Sequence, residues 1–394
     1  MLFSILKKVS FKGKIDIIDC KGKVHSFGNS FPHVKIKFKN KSIERKIFFN
    51  PSLYIGEAYM NKELIIEKGT IENFIDIIST SYDDVESNHW LHRFFNNIVT
   101  FFRSLQQLNH VISSKKNVSH HYDLNEELYR LFLDKDMQYS CGYFYNDNIS
   151  LDQAQIDKKK HIIKKLQIEK NMSVLDIGCG WGGMALQIAK DTGAKVRGIT
   201  LSTNQLMTAQ KRAEKEGLTD KVEFVLQDYR YEQQSYDRIV SVGMFEHVGI
   251  NYFSDFFSKT YDLLKKDGIF LLHTIGQKNK PRATNPWIRK YIFPGGYIPS
   301  LSEILKVCEM HNLVVADIEI LRLHYALTLK YWYQNFLKNK NKVIDIFDER
   351  FFRMWEYYLL VSQYSFRNMG KAVFQIQISK NINKLTLTRN YMYN

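Results

Sequence analysis

A chain of 394 residues, 44% hydrophobic and 25% charged, has an ordinary globular composition and enough length for two cores. No apolar run reaches the length of a bilayer span, and the start Met1-Leu2-Phe3-Ser4-Ile5-Leu6-Lys7-Lys8 is too short for a signal peptide. A cytoplasmic protein that touches a membrane without crossing it is expected. The formal charge of +15 points to an anionic partner, whether membrane, nucleic acid or acidic carrier, and the dispersed Cys20, Cys141, Cys179 and Cys308 suggest neither a disulfide framework nor a zinc site.

Residues 12–67 alternate apolar and polar side chains, as in Val34-Lys35-Ile36-Lys37-Phe38, with breaks at Gly22, Gly28, Pro32 and Pro51. A period of two predicts a small β-rich domain with one face in water. A helix is expected over 71–79. From 87 to 114 the chain is aromatic and helical, with Trp90, Phe94, Phe95, Phe101 and Phe102, and it then reaches the polar stretch Ser113-Ser114-Lys115-Lys116-Asn117. A boundary here gives an N-terminal β-rich domain over 1–110, expected to contact lipid or a second copy, and a second domain over 111–394. His120-His121-Tyr122-Asp123 leads into a helix over 125–133 and a loop through Gln138-Tyr139-Ser140-Cys141.

Val174-Leu175-Asp176-Ile177 then runs into Gly178-Cys179-Gly180-Trp181-Gly182-Gly183, and residues 184–189 have helical spacing. Strand, tight loop and helix in that order open a nucleotide-type βαβ unit. Gly178, Gly180 and Gly183 also satisfy a dinucleotide fingerprint, so the glycines alone do not name the ligand. Asp176 discriminates, because a carboxylate beside the turn repels a pyrophosphate and suits a ligand carrying an ammonium and a sulfonium. The second strand, 196–202, has no acid near its end to hold a dinucleotide ribose. The pattern favours S-adenosylmethionine.

Further strands at 222–226, 238–242, 269–273 and 314–318 alternate with amphipathic helices, which predicts a parallel sheet covered on both sides. Residues 373–378 alternate as a final antiparallel strand. The expected fold class is α/β: a Rossmann-like class I methyltransferase sheet with helical insertions and a β-rich N-terminal domain. The insertions are 277–299 and 322–370, which interleave basic and aromatic side chains as a phospholipid surface or a nucleic acid would require. Ligands of such sheets bind beyond the carboxyl ends of the strands, where Asp228, Tyr229, Glu246, His247, His273 and Tyr325 fall.

These positions carry a resemblance. His121-Tyr122-Asp123, Met137 to Cys141, Leu175 to Gly183, Gly198 to Ser202 with Gln205, and Asp228-Tyr229-Arg230 resemble the cyclopropane-fatty-acyl-phospholipid synthases. So do Phe245-Glu246-His247-Val248-Gly249, His273-Thr274-Ile275-Gly276, Phe293 to Ser300, and Tyr325 with Thr328-Leu329, so that the likeness spans roughly residues 117–380.

The resemblance implies methyl transfer from S-adenosylmethionine to a cis double bond of a phospholipid acyl chain, where the methyl becomes the bridge of a cyclopropane. It implies a bound bicarbonate as base, held by Cys141, Glu246, His273, the backbone N–H of Ile275, and Tyr325, and no metal. Its cofactor positions are Tyr139, Ser140, Asp176, Gly178, Cys179, Gly180, Gly182, Thr200, Leu201, Gln205, Asp228 and Tyr229. A homodimer docked peripherally on the inner leaflet is implied, with no nucleic-acid partner. Ser362 departs from the family, which often has there a cysteine long regarded as catalytic. Two other classes stand beside this reading. One is a nucleic-acid methyltransferase, prompted by the charge but lacking an Asn/Asp-Pro-Pro-Tyr motif; the other is a non-catalytic lipid-binding protein on the same fold.

Overall fold

Two separate sheets form where the alternating patterns fall, in a computed structural model that describes residues 2–84 and 126–393. The first sheet comprises β1 (Lys14–Ile18), β2 (Val24–Phe27), β3 (His33–Phe38) and β4 (Leu64–Lys68), in the order β2-β1-β3-β4. β1 runs parallel to β3, and β2 and β4 flank them antiparallel. Val34, Ile36 and Phe38 of β3 are buried at every second position, as the period of two requires.

The expectation of strands throughout 12–67 fails between β3 and β4, where the chain forms the helices Lys41–Phe49 and Pro51–Met60. Capping chemistry explains it. Asn40 Oδ1 accepts from Ile43 N at 3.0 Å, and Asn50 Oδ1 accepts from Leu53 N at 3.2 Å. Pro51, read as a break, occupies the first turn of a helix, where its missing N–H costs nothing. The helix expected over 71–79 spans Ile71–Thr80.

The chain divides into two compact units. The first gathers the described residues of Met1–Arg103 together with Arg282–Pro294 and Leu329–Gly370. The two stretches that do not fit a minimal Rossmann core thus supply helices to this unit, including Pro286–Tyr291 and Glu349–Asn368. Helix 349–368 packs against helices 51–60 and 71–80, and the buried Tyr59 hydroxyl donates to Glu356 Oε2 at 2.5 Å. Glu57 Oε1 accepts from Lys290 Nζ at 2.6 Å and from Tyr291 Oη at 2.8 Å. The boundary expected near residue 110, the aromatic stretch 87–114 and His120 to Asp123 lie outside the described residues.

The second unit is built on seven strands: β5 (Ser173–Ile177), β6 (Lys195–Thr200), β7 (Val222–Leu226), β8 (Tyr236–Val242), β9 (Leu264–Gln277), β10 (Val314–Leu321) and β11 (Lys371–Ser379). Their order is β10-β11-β9-β8-β5-β6-β7. The five strands from β9 to β7 are parallel, and β11 lies antiparallel between β9 and β10, as the alternation at 373–378 predicts. Alternate residues of a central strand enter opposite cores. Leu175, Ile177, Ile239, Phe270 and Leu272 pack with Phe245, Phe253, Phe256 and Phe257, while Val174, Val240, Ile269 and Leu271 pack with Ile162, Ala185 and Ile188. This two-sided burial gives the sheet typical of class I methyltransferases. It leaves the carboxyl ends of β5, β6, β7 and β8 as the rim where a ligand can enter.

Candidate active site

At that rim the turn after β5 is shaped by glycines. Gly180 has φ 53° and a Cβ built on it meets no atom within 4 Å. Gly182 has φ 83° and caps the helix Gly183–Thr192, where a Cβ would lie 2.6 Å from Phe224 Cζ. Only the first of these faces open space, and that space is a cavity of about 140 Å³. Asp176, Gly178, Cys179 and Gly180 line it from β5 and its turn, Thr200, Leu201 and Gln205 from the end of β6, and Asp228 and Tyr229 from beyond β7. Tyr139 and Ser140 close it from the preceding loop. Of the expected cofactor positions, Gly182 alone is not part of the wall; its place is in the turn behind it.

The electrostatics of this wall are specific. Asp176 is 1% exposed, its Oδ2 has no hydrogen-bond partner, and burial pushes its carboxyl up to about 7 against the pull of the Lys158 ammonium. An orphaned acceptor beside a cavity fits a ligand that brings a cation or an N–H or O–H donor. The Asp228 carboxylate is fixed by Arg230, whose Nε and Nη2 donate to it at 2.8 and 2.7 Å. Thr200 Oγ1 donates to Gln205 Oε1 at 2.7 Å.

Lys158 is the residue that sequence reasoning missed. It lies fully buried on the helix Leu151–Leu166 and donates to Gln138 Oε1 at 2.7 Å and to Ser140 Oγ at 2.8 Å, so it holds the loop that closes the cavity. Its burial pushes the ammonium down, and Asp134 beside it pulls the other way. The signal was in the sequence: positions 151, 154, 158, 162 and 166 form one helical stripe, and a lysine inside an otherwise apolar stripe is a buried one. Arg230, Trp181, Met244 and His247 also line the cavity.

None of the five positions expected to hold bicarbonate is part of that wall. Glu246, in a short 3₁₀ turn after β8, accepts from Ile275 N at 2.5 Å through Oε1 and leaves Oε2 without a partner; burial pushes its carboxyl up to about 7. The Ile275 N–H is therefore committed to Glu246 in this arrangement. His273, on β9, is 2% exposed and held neutral by burial, with Nδ1 3.1 Å from Gln375 Nε2 of β11. Its carbonyl accepts from Gly243 N of the cavity wall at 2.9 Å. Cys141 follows Ser140 and is 1% exposed, and burial pushes its thiol up, so it remains S–H. Gly142 N donates at 3.0 Å to Thr328 Oγ1, one turn after the buried Tyr325 on the helix His324–Lys338. Ser362 belongs to helix 349–368 of the first unit, whereas all the other site residues belong to the second.

A doubly covered sheet with parallel central strands, a glycine turn and a carboxylate aimed at a rim cavity together define an S-adenosylmethionine-dependent methyltransferase. A family model described as mycolic acid cyclopropane synthetase matches residues 109–376, and another, a domain of unknown function (DUF7884), matches residues 2–89. The chain belongs to the cyclopropane synthase family. It is 38% identical over 351 residues, 88% of each chain, to cyclopropane-fatty-acyl-phospholipid synthase of Escherichia coli strain K12. It is 33% identical over 350 residues, 85% of this chain and 80% of the relative, to tuberculostearic acid methyltransferase UfaA1 of Mycobacterium tuberculosis H37Rv. Among solved structures, mycolic acid cyclopropane synthase CmaA1 complexed with SAH and CTAB superposes with a TM-score of 0.63 at 32% identity, covering 67% of this chain and 97% of that one.

Proposed function

We propose that the chain transfers a methyl group from S-adenosylmethionine to the cis double bond of an unsaturated phospholipid acyl chain and closes a cyclopropane ring. The observation that carries this reading is the pair of buried carboxylates at one rim, Asp176 and Glu246, each with an oxygen that no protein group satisfies. When bound, the cofactor supplies an electrophilic methyl group. Asp176, Tyr139, Ser140, Thr200, Gln205 and Asp228 hold it, and Lys158 keeps the loop bearing two of them closed.

An alkene is a neutral, weak nucleophile, so the residues contribute alignment and exclusion of water rather than activation. Addition of the methyl leaves a carbocation on the acyl chain. Loss of one proton from the added methyl then forms the second ring bond, a net gain of one CH₂ with release of one proton. A bicarbonate held at this place would supply the base for that proton: the free oxygen of Glu246 would accept its one hydrogen bond, and Cys141, His273 and Tyr325 would donate to it. With Gln375 donating to Nδ1, the ring proton of neutral His273 sits on Nε2 and is available as a donor. The backbone N–H of Ile275 joins these donors if Glu246 turns toward the anion.

The enzyme works in this reading as a homodimer in the cytoplasm, docked peripherally on the inner leaflet. No helix among the described residues is long and apolar enough to cross a membrane. Loss of a proton from a neighbouring chain carbon instead would leave a methyl-branched alkene of the same mass, so survival of the double bond decides between branch and ring. Mass spectrometry of unsaturated phospholipid vesicles, incubated with protein, cofactor and bicarbonate, should find lipids heavier by one CH₂ with the alkene gone. Methyl label in RNA but not in vesicles would overturn the reading.

A further inference from the structure

The first unit contains a cavity of its own, about 180 Å³, larger than the roughly 150 Å³ that accommodates a benzene ring in an engineered protein core. It is partly open to solvent rather than sealed inside the core. Its walls are fixed on several sides: Ile15, Ile36 and Leu64 project from the four-stranded sheet, Ile55 from helix 51–60 and Val361 from helix 349–368. Two of the polar side chains in the lining have partners of their own. The Ser79 hydroxyl donates to Asp76 O at 2.9 Å, and the Tyr364 hydroxyl donates to Glu72 Oε1 at 3.2 Å. The ligand such a wall selects is hydrocarbon. One edge differs. Tyr82 lends its ring to the lining, and its hydroxyl accepts from the exposed Arg282 guanidinium at 3.4 Å, which places a cation beside the apolar space.

We propose that this cavity binds a single unbranched aliphatic chain with its acidic head group at the Tyr82–Arg282 edge. It is a lipid site separate from the cavity between Asp176 and Asp228. The inference goes beyond the transfer reaction and does not depend on it. The shared chemistry, an acyl chain ending in an anion, belongs both to free fatty acids and to acidic phospholipids.

Isoleucine δ1-methyl NMR on the full-length protein separates the sites, because Ile15, Ile36 and Ile55 report this cavity and Ile177 and Ile199 the other. Titration with dodecanoate, and separately with a short-chain phosphatidylglycerol, both below micelle-forming concentrations, should shift the first group saturably. A response to dodecanoate alone names the free acid as the ligand, to the phospholipid alone names the lipid, and to both means that the chain is read whatever the head. Shifts at Ile177 and Ile199 only, or at neither group, overturn the proposal. Val361→Trp should weaken the response at least tenfold while binding of S-adenosylhomocysteine is unchanged. An undiminished response at Ile15 and Ile36 in a folded Val361→Trp protein would equally overturn it. Arg282→Glu should weaken dodecanoate but not its methyl ester.

Discussion

Glu246 satisfies one oxygen with the N–H of Ile275 and keeps the other bare, in a site where burial holds its carboxyl at about 7. A group poised there exchanges protons near neutrality, so its removal should fall on turnover rather than on binding. Glu246→Ala is expected to lower kcat at least a hundredfold and leave S-adenosylhomocysteine affinity within a fewfold, read by lipid mass spectrometry and calorimetry. Retention of most activity would remove Glu246 from the proposed role. Ser362→Cys, at a position outside the unit that holds the others, should change the rate less than about twofold. Asp176 lends itself to a pH test. Burial raises its pKa from 3.8 to about 7, so the native protein holds that proton more tightly than the unfolded chain does. This contribution is fully present below the unfolded value and is lost as pH rises through about 7. The Tm of Asp176→Asn should therefore gain on the parent between about pH 4 and pH 8, checked by calorimetry without cofactor; a constant difference would contradict it. The same substitution should weaken cofactor binding by roughly tenfold to a hundredfold, the scale of one charged hydrogen bond.

In the loop between β5 and its helix, neighbouring glycines do different work. Gly182→Ala forces a Cβ to 2.6 Å from Phe224, so thermal stability should fall clearly. Gly180→Ala meets no protein atom and costs about 1–2 kcal/mol for its left-handed backbone. Its effect should be on cofactor affinity, by equilibrium titration. A normal affinity would place the ligand elsewhere. Legibility from sequence follows the same division. The strands of the second unit and the rim residues were readable because hydrophobic runs end in glycine or acid at fixed offsets. The helices at 41–60 were not, because Ile43, Ile47 and Phe48 give only a short helical spacing between two alternating strands, and the asparagine caps decide. Lys158 was hidden because it opens a run of three lysines, which reads as a solvated face although Lys158 and Lys159 are both buried. The hydrogen bond from Ile275 to Glu246 joins positions 29 residues apart on different strands' ends, and no local pattern encodes such a meeting.

For the whole molecule, a net charge of +15 favours an anionic surface. Sedimentation with vesicles rich in acidic lipid should lose at least tenfold in affinity between about 0.05 and 0.5 M salt, since exposed charges are screened over a few ångströms at the upper value. Insensitivity to salt would assign docking to apolar contact instead. The interlacing of the chain has a temporal consequence. β11 leaves the ribosome after β9 and β10, yet it must slide between them. The N-terminal sheet likewise waits for residues 329–370 to complete its own unit. The first unit cannot finish before residue 370 and the second before residue 379 has been synthesised, so a nascent chain stalled earlier offers two unfinished apolar surfaces to the chaperones.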